Sequence, residues 1–292
     1  MVNSVPLADI LTKGGIMRYC LFLVLLVVAC SQDDRTIKIK GSDTEVNLAV
    51  QLAESFHQIN SNVFVSISGG GSGLGIASLL NGTADIANSS RCINTKESQL
   101  FNERSMPLDS FIFAQDAIAF VVADTFPLDS ISTTTLAKLL DGTYSDWASI
   151  VPKQSLPITI YGRQSNSGTY DFVKKKLNIE FSPYAKQMNG NAQILEAIKM
   201  DHSGIGYVGS GYVADGRGKG LKVLTIYTDQ DKKAISPLNA LLIAQGKYFF
   251  QRPLFQYFKS SSYLKIKPFI DFEKSEAGKK IIQEAGYYPV KK

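Results

Sequence analysis

Histidine, cysteine and tryptophan are scarce in this chain of 292 residues, which has two histidines, three cysteines and one tryptophan. No His, Cys, Asp and Glu residues recur at the spacing of metal ligands, and no Gly-x-Ser-x-Gly turn occurs with a plausible triad. The sequence therefore argues against a metal site, a cofactor and nucleophilic catalysis, and we expect no enzyme activity.

Positive charge is present but is not clustered. The formal net charge is +5, and the only basic run is the lysine triplet at 174–176, at a spacing typical of a solvated helix face. A nucleic-acid-binding protein would carry a basic stripe, so we expect no nucleic-acid partner. With 45% hydrophobic and 20% charged residues, the composition is that of a globular protein, and mild positive charge favours an anionic ligand.

A membrane-spanning apolar run is also missing. The run at residues 21–29 is too short to span a bilayer, which takes about 20 residues. It follows Met17-Arg18 and ends at Cys30, in a pattern that resembles a bacterial lipobox. We predict that residues 1–30 are a signal peptide with a lipobox, that Cys30 is lipidated, and that residues 31–35 form a tether. The alternative is an ordinary secretory signal with a chance cysteine.

The predicted lipidation determines where the protein is located and which of its cysteines can form a disulfide. Two acyl chains on Cys30 would hold it at the membrane, in the periplasm or at the cell surface. Residues 1–16 fit no targeting pattern, so translation could start at Met17. Once Cys20 is removed with the signal and Cys30 is acylated, Cys92 has no partner for an intramolecular disulfide. We expect Cys92 to be a small packed residue.

Strand and helix patterns alternate along the rest of the chain, which predicts an α/β fold. Strands are predicted at 36–40, 63–67, 85–87, 117–123, 157–161 and 204–208, and helices at 46–59, 76–80, 136–140, 169–177, 194–200 and 272–285. Trp147 is expected in packing contacts, and His57 and His202 at the surface.

Three segments share one design, in which a strand leads through a small, hydroxyl-rich turn into a helix. They are Gly-Ser-Asp-Thr at 41–44, Gly-Gly-Gly-Ser-Gly at 69–73, and Arg-Gln-Ser-Asn-Ser-Gly-Thr at 163–169. The start of a helix offers unpaired N–H groups and a partial positive charge, which suit an anion. Each turn alone is also explained by ordinary helix capping. The planar guanidinium of Arg163 adds N–H donors that can bind two oxygens of an oxyanion. The three turns together therefore predict one shared anion site.

These motifs, with Asn-Gly-Thr-Ala-Asp-Ile-Ala at 81–87 and Gly-Ile-Gly-Tyr-Val-Gly at 204–209, resemble the phosphate-binding proteins of bacterial phosphate ABC importers. The resemblance runs in order from about residue 37 to the C-terminus. It implies a two-lobed α/β periplasmic-binding-protein fold, type II-like, with a hinge and a ligand cleft between the lobes. We assign residues 36–116 plus 236–292 to lobe 1 and residues 117–235 to lobe 2. The implied partners are inorganic phosphate and the transmembrane subunits of an ABC permease, and the protein is expected to be a monomer.

The resemblance and the turn chemistry together give a candidate set of phosphate-binding residues. The set is Ser42, Asp43, Thr44, Ser72, Ser90, Arg163, Ser167, Gly168 and Thr169. Two positions depart from the family, because Ser90 and Ser165 stand where many members have acids. A carboxylate acceptor favours protonated phosphate over sulfate, and Asp43 is the candidate for that role, with a plain helix cap as its alternative. Arg91 stays open between a second positive charge and a surface residue.

These motifs are also compatible with other functions. Hydroxyl donors and one arginine fit any small tetrahedral oxyanion, such as sulfate or molybdate. A secreted enzyme or adhesin on the same fold is a further alternative, because fold alone does not decide function.

Overall fold

The computed structural model describes residues 35–214, 216 and 218–290, so Cys30 and the predicted signal peptide lie outside the described residues, as does most of the tether. The strands are β1 Thr36–Gly41, β2 Phe64–Ser68, β3 Ile86–Ser89, β4 Leu108–Ala123, β5 Ser130–Ser132, β6 Thr159–Arg163, β7 Lys186–Met188, β8 Gly204–Gly209, β9 Leu221–Val223, β10 Thr225–Tyr227, β11 Gln251–Lys259 and β12 Tyr288–Pro289. The helices are α1 Val46–Ile59, α2 Ser72–Leu80, α3 Thr95–Glu103, α4 Thr133–Leu140, α5 Gly168–Leu177, α6 Asn191–Met200, α7 Gly211–Ala214, α8 Ala240–Ala244, α9 Tyr263–Lys274 and α10 Glu276–Glu284.

One large mixed sheet carries the fold, in the order β2-β1-β3-β11-β4-β8-β6-β7. At one end β1 pairs in parallel with β2 and β3, and at the other β6 pairs in parallel with β8 and β7. The long strand β4 joins the two ends, because its first half pairs with β11 and its second half with β8. The C-terminal ends of the parallel strands are where α/β proteins bind ligands.

Two main hydrophobic cores lie on the two ends of this sheet. The first packs Ile37, Leu48, Leu254 and Phe269. The second packs Phe120, Trp147, Tyr207, Ile243 and Phe250. The buried position of Trp147 confirms its predicted packing role. The lobe limits at 116/117 and 235/236 stay a prediction, and residues 243–250 pack in the second core although the prediction gave them to lobe 1.

Every predicted strand is found within two residues of its expected start, except that β4 begins nine residues earlier than the apolar run that predicted it. The predicted helix at 272–285 is wrong in one respect, because it is two helices that meet at Ser275. The Ser275 hydroxyl accepts the Gly278 N–H at 3.2 Å and caps α10, while Gly278 is so close to α9 that a Cβ there would lie 2.4 Å from Phe272 O. Cys92 is exposed, so its predicted packing is also wrong.

A buried acid lies between α9 and β11. The Glu273 side chain is 2% exposed, and its Oε1 accepts a hydrogen bond from Gln256 Nε2 at 2.9 Å. Burial raises the pKa of Glu273 from 4.5 to about 8. The folded protein therefore keeps a proton that the unfolded chain releases. The stability that this proton contributes is complete below the unfolded pKa and is lost as the pH rises through the folded one.

We expect Glu273→Gln to flatten the pH dependence of stability. In the wild type this carboxyl makes the free energy of unfolding fall as the pH rises between about 5 and 8. The amide is neutral throughout, so its contribution has no slope there. Urea unfolding across this range measures the effect, and parallel profiles for variant and wild type would contradict the assignment.

Candidate functional site

The three hydroxyl-rich turns meet at one place. The second and third are in direct contact, because Gly73 N–H donates to Asn166 O at 3.0 Å and Asn166 Nδ2 donates to Gly70 O at 3.0 Å. Gly168 lies so close to the second turn that a Cβ on it would be 2.4 Å from Ser72 Oγ. Only glycine fits at that position, so the start of α5 is pressed against the start of α2.

Buried hydroxyl groups from five residues fill this meeting point. Ser42 Oγ lies 3.1 Å from Ser90 Oγ, Ser72 Oγ lies 3.4 Å from Ser90 Oγ, and Thr44 Oγ1 lies 3.0 Å from Thr169 Oγ1. Each of the five residues is at most 3% exposed. We call Ser42, Thr44, Ser72, Ser90 and Thr169 the hydroxyl cluster. Hydroxyls can both donate and accept, so the cluster can surround a small polar ligand.

The loops that carry the cluster are shaped by close backbone contacts. Gly41, at the end of β1, has φ +137°, and a Cβ there would lie 2.2 Å from Asn88 O. A side chain at Gly41 would therefore separate β1 from β3 and displace Ser42. Ser167 acts as the N-cap of α5, because its Oγ accepts the N–H groups of Thr169 at 3.1 Å and Tyr170 at 3.5 Å.

Arg163 ends β6 and is 2% exposed. Its Nη2 donates to Asn189 O at 3.0 Å, and its Nη1 lies 3.4 Å from Asp43 Oδ2, against the first turn. Its Nε and Nη1 are buried without a hydrogen-bond partner. Burial lowers the pKa of this guanidinium, and the nearby Asp43 carboxylate opposes that effect. Two unpaired donors on a buried cation are costly unless an anion accepts them.

Asp43 has partners other than those that the sequence suggested. Its Oδ2 accepts from Asn191 N and from Asn191 Nδ2, both at 2.9 Å. Its backbone oxygen accepts from Tyr212 Oη at 2.8 Å. Asp43 thus binds the first turn to the start of α6 and to α7. Its role as the acceptor of a ligand proton stays a hypothesis, and one of its oxygens is already committed.

The sequence analysis missed an arginine and an aspartate at the centre of the site. Arg252, on β11, donates from Nη2 to Thr44 Oγ1 at 3.2 Å and to Thr169 Oγ1 at 3.0 Å, and from Nη1 to Ser90 O at 3.2 Å. Its Nε and Nη2 also bind Asp116 Oδ2, at 3.0 and 2.8 Å. Arg252 is therefore in contact with turns from both ends of the sheet.

Asp116 fixes Arg252 in this position. The Asp116 side chain is fully buried on β4, and its Oδ1 accepts the Ser210 N–H at 3.2 Å. Burial raises its pKa, and the Arg252 guanidinium works against that shift. A charged residue beside the apolar run at 117–123, and another inside the aromatic segment at 248–263, were the available signs of this pair. Charges are seldom buried unless they are paired.

The remaining candidates lie around the site. The sequence left the role of Arg91 open between a second positive charge at the site and a surface residue. In the structure Arg91 forms a bidentate ion pair with Glu97, in the first turn of α3, at 2.6 and 2.7 Å. His57 and His202 are exposed, as predicted. Among residues 35–290, as far as they are described, there is no group of three metal-ligating side chains. None of the described helices combines the length and apolarity that a membrane crossing needs.

A curled α/β sheet whose strand ends enclose buried hydroxyls and two buried arginines defines a solute-binding protein for a small anion. A family model described as a PBP superfamily domain matches residues 28–276, and the chain belongs to this superfamily. The two-lobed periplasmic-binding fold that the motifs implied is thereby confirmed. The family is one of substrate-binding transport proteins and not of enzymes.

Individual relatives agree with this assignment. The phosphate-binding protein PstS of Borreliella burgdorferi is 28% identical over 290 residues, which cover 96% of this chain and 99% of the relative. An ABC-type phosphate transport receptor from Vibrio cholerae is 27% identical, with a TM-score of 0.69, over 87% of this chain and 100% of that one. A Clostridium perfringens protein assigned as a phosphate ABC transporter substrate-binding protein, solved with bound phosphate, has a TM-score of 0.77 at 22% identity, over 88% and 100% of the two chains.

Proposed function

We propose that this protein captures inorganic phosphate outside the cytoplasmic membrane and delivers it to an ABC import permease. The observation that carries the proposal is the buried Arg163 side chain, whose Nε and Nη1 make no hydrogen bond and whose Nη1 lies 3.4 Å from Asp43, the residue between Ser42 and Thr44 of the hydroxyl cluster. Relatives that match nearly the whole chain are named as phosphate-binding proteins, which supports the same ligand.

The proposed ligand complements the site in charge and in hydrogen bonding. A phosphate dianion would accept hydrogen bonds from Arg163 and from the hydroxyl cluster, while Arg252 supplies a second buried positive charge. The starts of α2 and α5 add partial positive charge from both sides. We propose that Gly168 and Ser167 also contact the ligand. Gly168 is the first residue of α5 and lies where the second and third turns are closest, and Ser167 caps that end of the helix.

The proposed protein binds and releases its ligand without changing it. Arg163, Asp43 and Asn191 join residues from opposite ends of the sheet, and such bonds suit a cleft that closes over a ligand. We propose that lobe 1 (36–116 plus 236–292) and lobe 2 (117–235) open and close in this way, and that the protein acts as a monomer.

Titration calorimetry with phosphate, sulfate, arsenate and molybdate tests the proposed ligand. We expect tight binding of phosphate and of arsenate, which has the same shape and protonation. Binding of sulfate or molybdate in preference to phosphate would replace the proposal with import of another oxyanion.

We also propose that Cys30 carries a lipid anchor that keeps the protein at the membrane, with the periplasm or the cell surface as its location. The short apolar run before Cys30 and the following polar residues support this. The partners of the anchored protein would be the membrane itself and the transmembrane subunits of the permease.

Cys30→Ser is expected to abolish acylation and to move the protein from the membrane fraction to the soluble fraction. The remaining apolar segment is too short to hold it, since a span takes about 20 residues. Metabolic labelling with palmitate measures the change, with Cys92→Ser as the matched control that should stay labelled. An unlabelled wild-type protein would contradict the lipid anchor.

A further inference from the structure

A buried acid lies directly behind the hydroxyl cluster. Glu45 follows Thr44 in a short 3-10 helix, and its N–H donates to Ser42 O at 3.3 Å, which folds it back toward Ser42. Its side chain is fully buried, and neither carboxyl oxygen makes a hydrogen bond of good geometry. Burying a carboxyl group without a hydrogen-bond partner destabilises the fold, so Glu45 is a candidate for a functional role.

The surroundings of Glu45 favour the neutral form of its carboxyl. Burial raises its pKa well above 4.5, and the nearby acids Asp116 and Glu273 act in the same direction. Arg252 and the Ser42 hydroxyl work against the shift. A neutral carboxyl does not repel a bound dianion, yet its carbonyl oxygen still accepts a hydrogen bond.

The proposed function requires an acceptor for the proton of hydrogen phosphate, and the acids that touch the site are already bound to other groups. Hydrogen phosphate carries a proton that needs an acceptor, whereas sulfate has none to give. Asp116 is committed to Arg252 and Ser210, and Asp43 to Asn191 and Arg163. The hydroxyl at Ser42 can serve as an acceptor only if its own proton points away from the ligand.

We propose that Glu45 is the residue that sets phosphate over sulfate, by accepting the Ser42 hydroxyl proton so that Ser42 Oγ can accept the proton of the ligand. This inference rests on the proposed function. In the structure the Ser42 hydroxyl donates to Ser90 Oγ at 3.1 Å, and the Glu45 carboxyl is a second acceptor near it whose contact falls short of a hydrogen bond of good geometry. With hydrogen phosphate bound, the Ser42 hydroxyl turns to Glu45, and the P–OH group donates to Ser42 Oγ.

No proton is transferred in this arrangement, and every group keeps its charge. In the proposed arrangement the proton of neutral Glu45 is donated to Asn88. Asn88 Oδ1 is buried without a partner, and Asn88 lies beside Ser42, whose N–H donates to Asn88 O at 2.9 Å. Sulfate would place a bare oxygen against the lone pair of Ser42, or would force that hydroxyl to turn away from Glu45. Either outcome penalises sulfate.

The test compares two substitutions at Glu45 by titrating the purified protein with phosphate and with sulfate. Glu45→Gln keeps an acceptor oxygen for Ser42 and a donor for Asn88, so the ratio of the two affinities should stay within about threefold of the wild type. Glu45→Met fills the same space without an acceptor, so the ratio should fall by about tenfold or more, the equivalent of one good hydrogen bond. Ser42→Ala should lower the ratio as Glu45→Met does, and the double variant should lower it no further.

Each result decides between Glu45 and the other acids. Glu273→Gln, a neutralised buried acid that does not contact the cluster, is the control and should leave the ratio unchanged. An unchanged ratio in Glu45→Met, or an equal fall in Glu45→Gln and Glu45→Met, would overturn the role of Glu45 while phosphate binding stands. A wild-type protein that binds no phosphate would overturn the proposed function itself, and this inference with it.

Discussion

Replacing Arg163 with methionine is expected to weaken phosphate binding at least about a hundredfold. Hydrogen bonds to charged groups contribute about 1.5–3 kcal/mol each, and Arg163 has two buried donors, Nε and Nη1, that make no hydrogen bond in the protein, although Nη1 lies 3.4 Å from the Asp43 carboxylate. The loss of both exceeds the roughly 2.7 kcal/mol that a hundredfold change in affinity requires. Titration calorimetry gives the affinity, and thermal unfolding shows whether the variant is folded.

Arg104→Met is the matched control for this substitution. Arg104 is an exposed arginine at the end of α3, and its Nη1 donates to Leu80 O at 3.3 Å, so its loss should leave phosphate affinity within about twofold of the wild type. A loss of less than about threefold in Arg163→Met would contradict the assignment of its free donors to the ligand.

Replacing Arg252 with methionine is expected to destabilise the fold by about 3–5 kcal/mol and to weaken phosphate binding as well. The substitution leaves Asp116 as a buried carboxylate without its counter-charge, because the Arg252 and Asp116 side chains are 1% and 0% exposed. It also removes the donor that Thr44 Oγ1 and Thr169 Oγ1 share. Urea unfolding measures the first effect, and calorimetry measures the second.

A double variant separates the two roles of Arg252. Arg252→Met with Asp116→Asn removes both buried charges, so most of the lost stability should return. Phosphate binding should remain weak, because the positive charge at the hydroxyl cluster is still missing. Lys199→Met, which breaks an exposed ion pair with Glu196, should cost less than about 1 kcal/mol. Recovery of binding together with stability would show that Arg252 supports the fold alone.

The sequence could predict the parts of the site that are local. A strand, a hydroxyl-rich turn and a helix follow one another within each segment, so the turns at 41–44, 69–73 and 163–169 carry their own evidence. The meeting of the first two turns follows from the parallel pairing of β1 and β2, whose C-terminal ends share one edge of the sheet. The third turn follows β6, which runs antiparallel to β1 in the other half of the sheet, so its contact with the first two comes from the tertiary fold. The structure brings Ser42, Thr44, Ser72, Ser90 and Thr169 together.

The parts that the sequence could not predict depend on residues far apart in the chain. Arg252 and Asp116 are 136 residues apart, and Asp43 and Asn191 are 148 apart. No periodicity or spacing rule connects such pairs. The break between α9 and α10 was missed for a different reason, because the helical pattern continues through Ser275 and only its capping bond and the close approach at Gly278 interrupt it.

A crystal structure of the protein grown with phosphate tests the central claim most directly. The account predicts a phosphate ion enclosed by the hydroxyl cluster, with Arg163 Nε and Nη1 donating to its oxygens and the contact between Gly73 and Asn166 retained around it. A phosphate bound elsewhere, or a closed cleft in which those two nitrogen atoms still have no partner, would contradict the account.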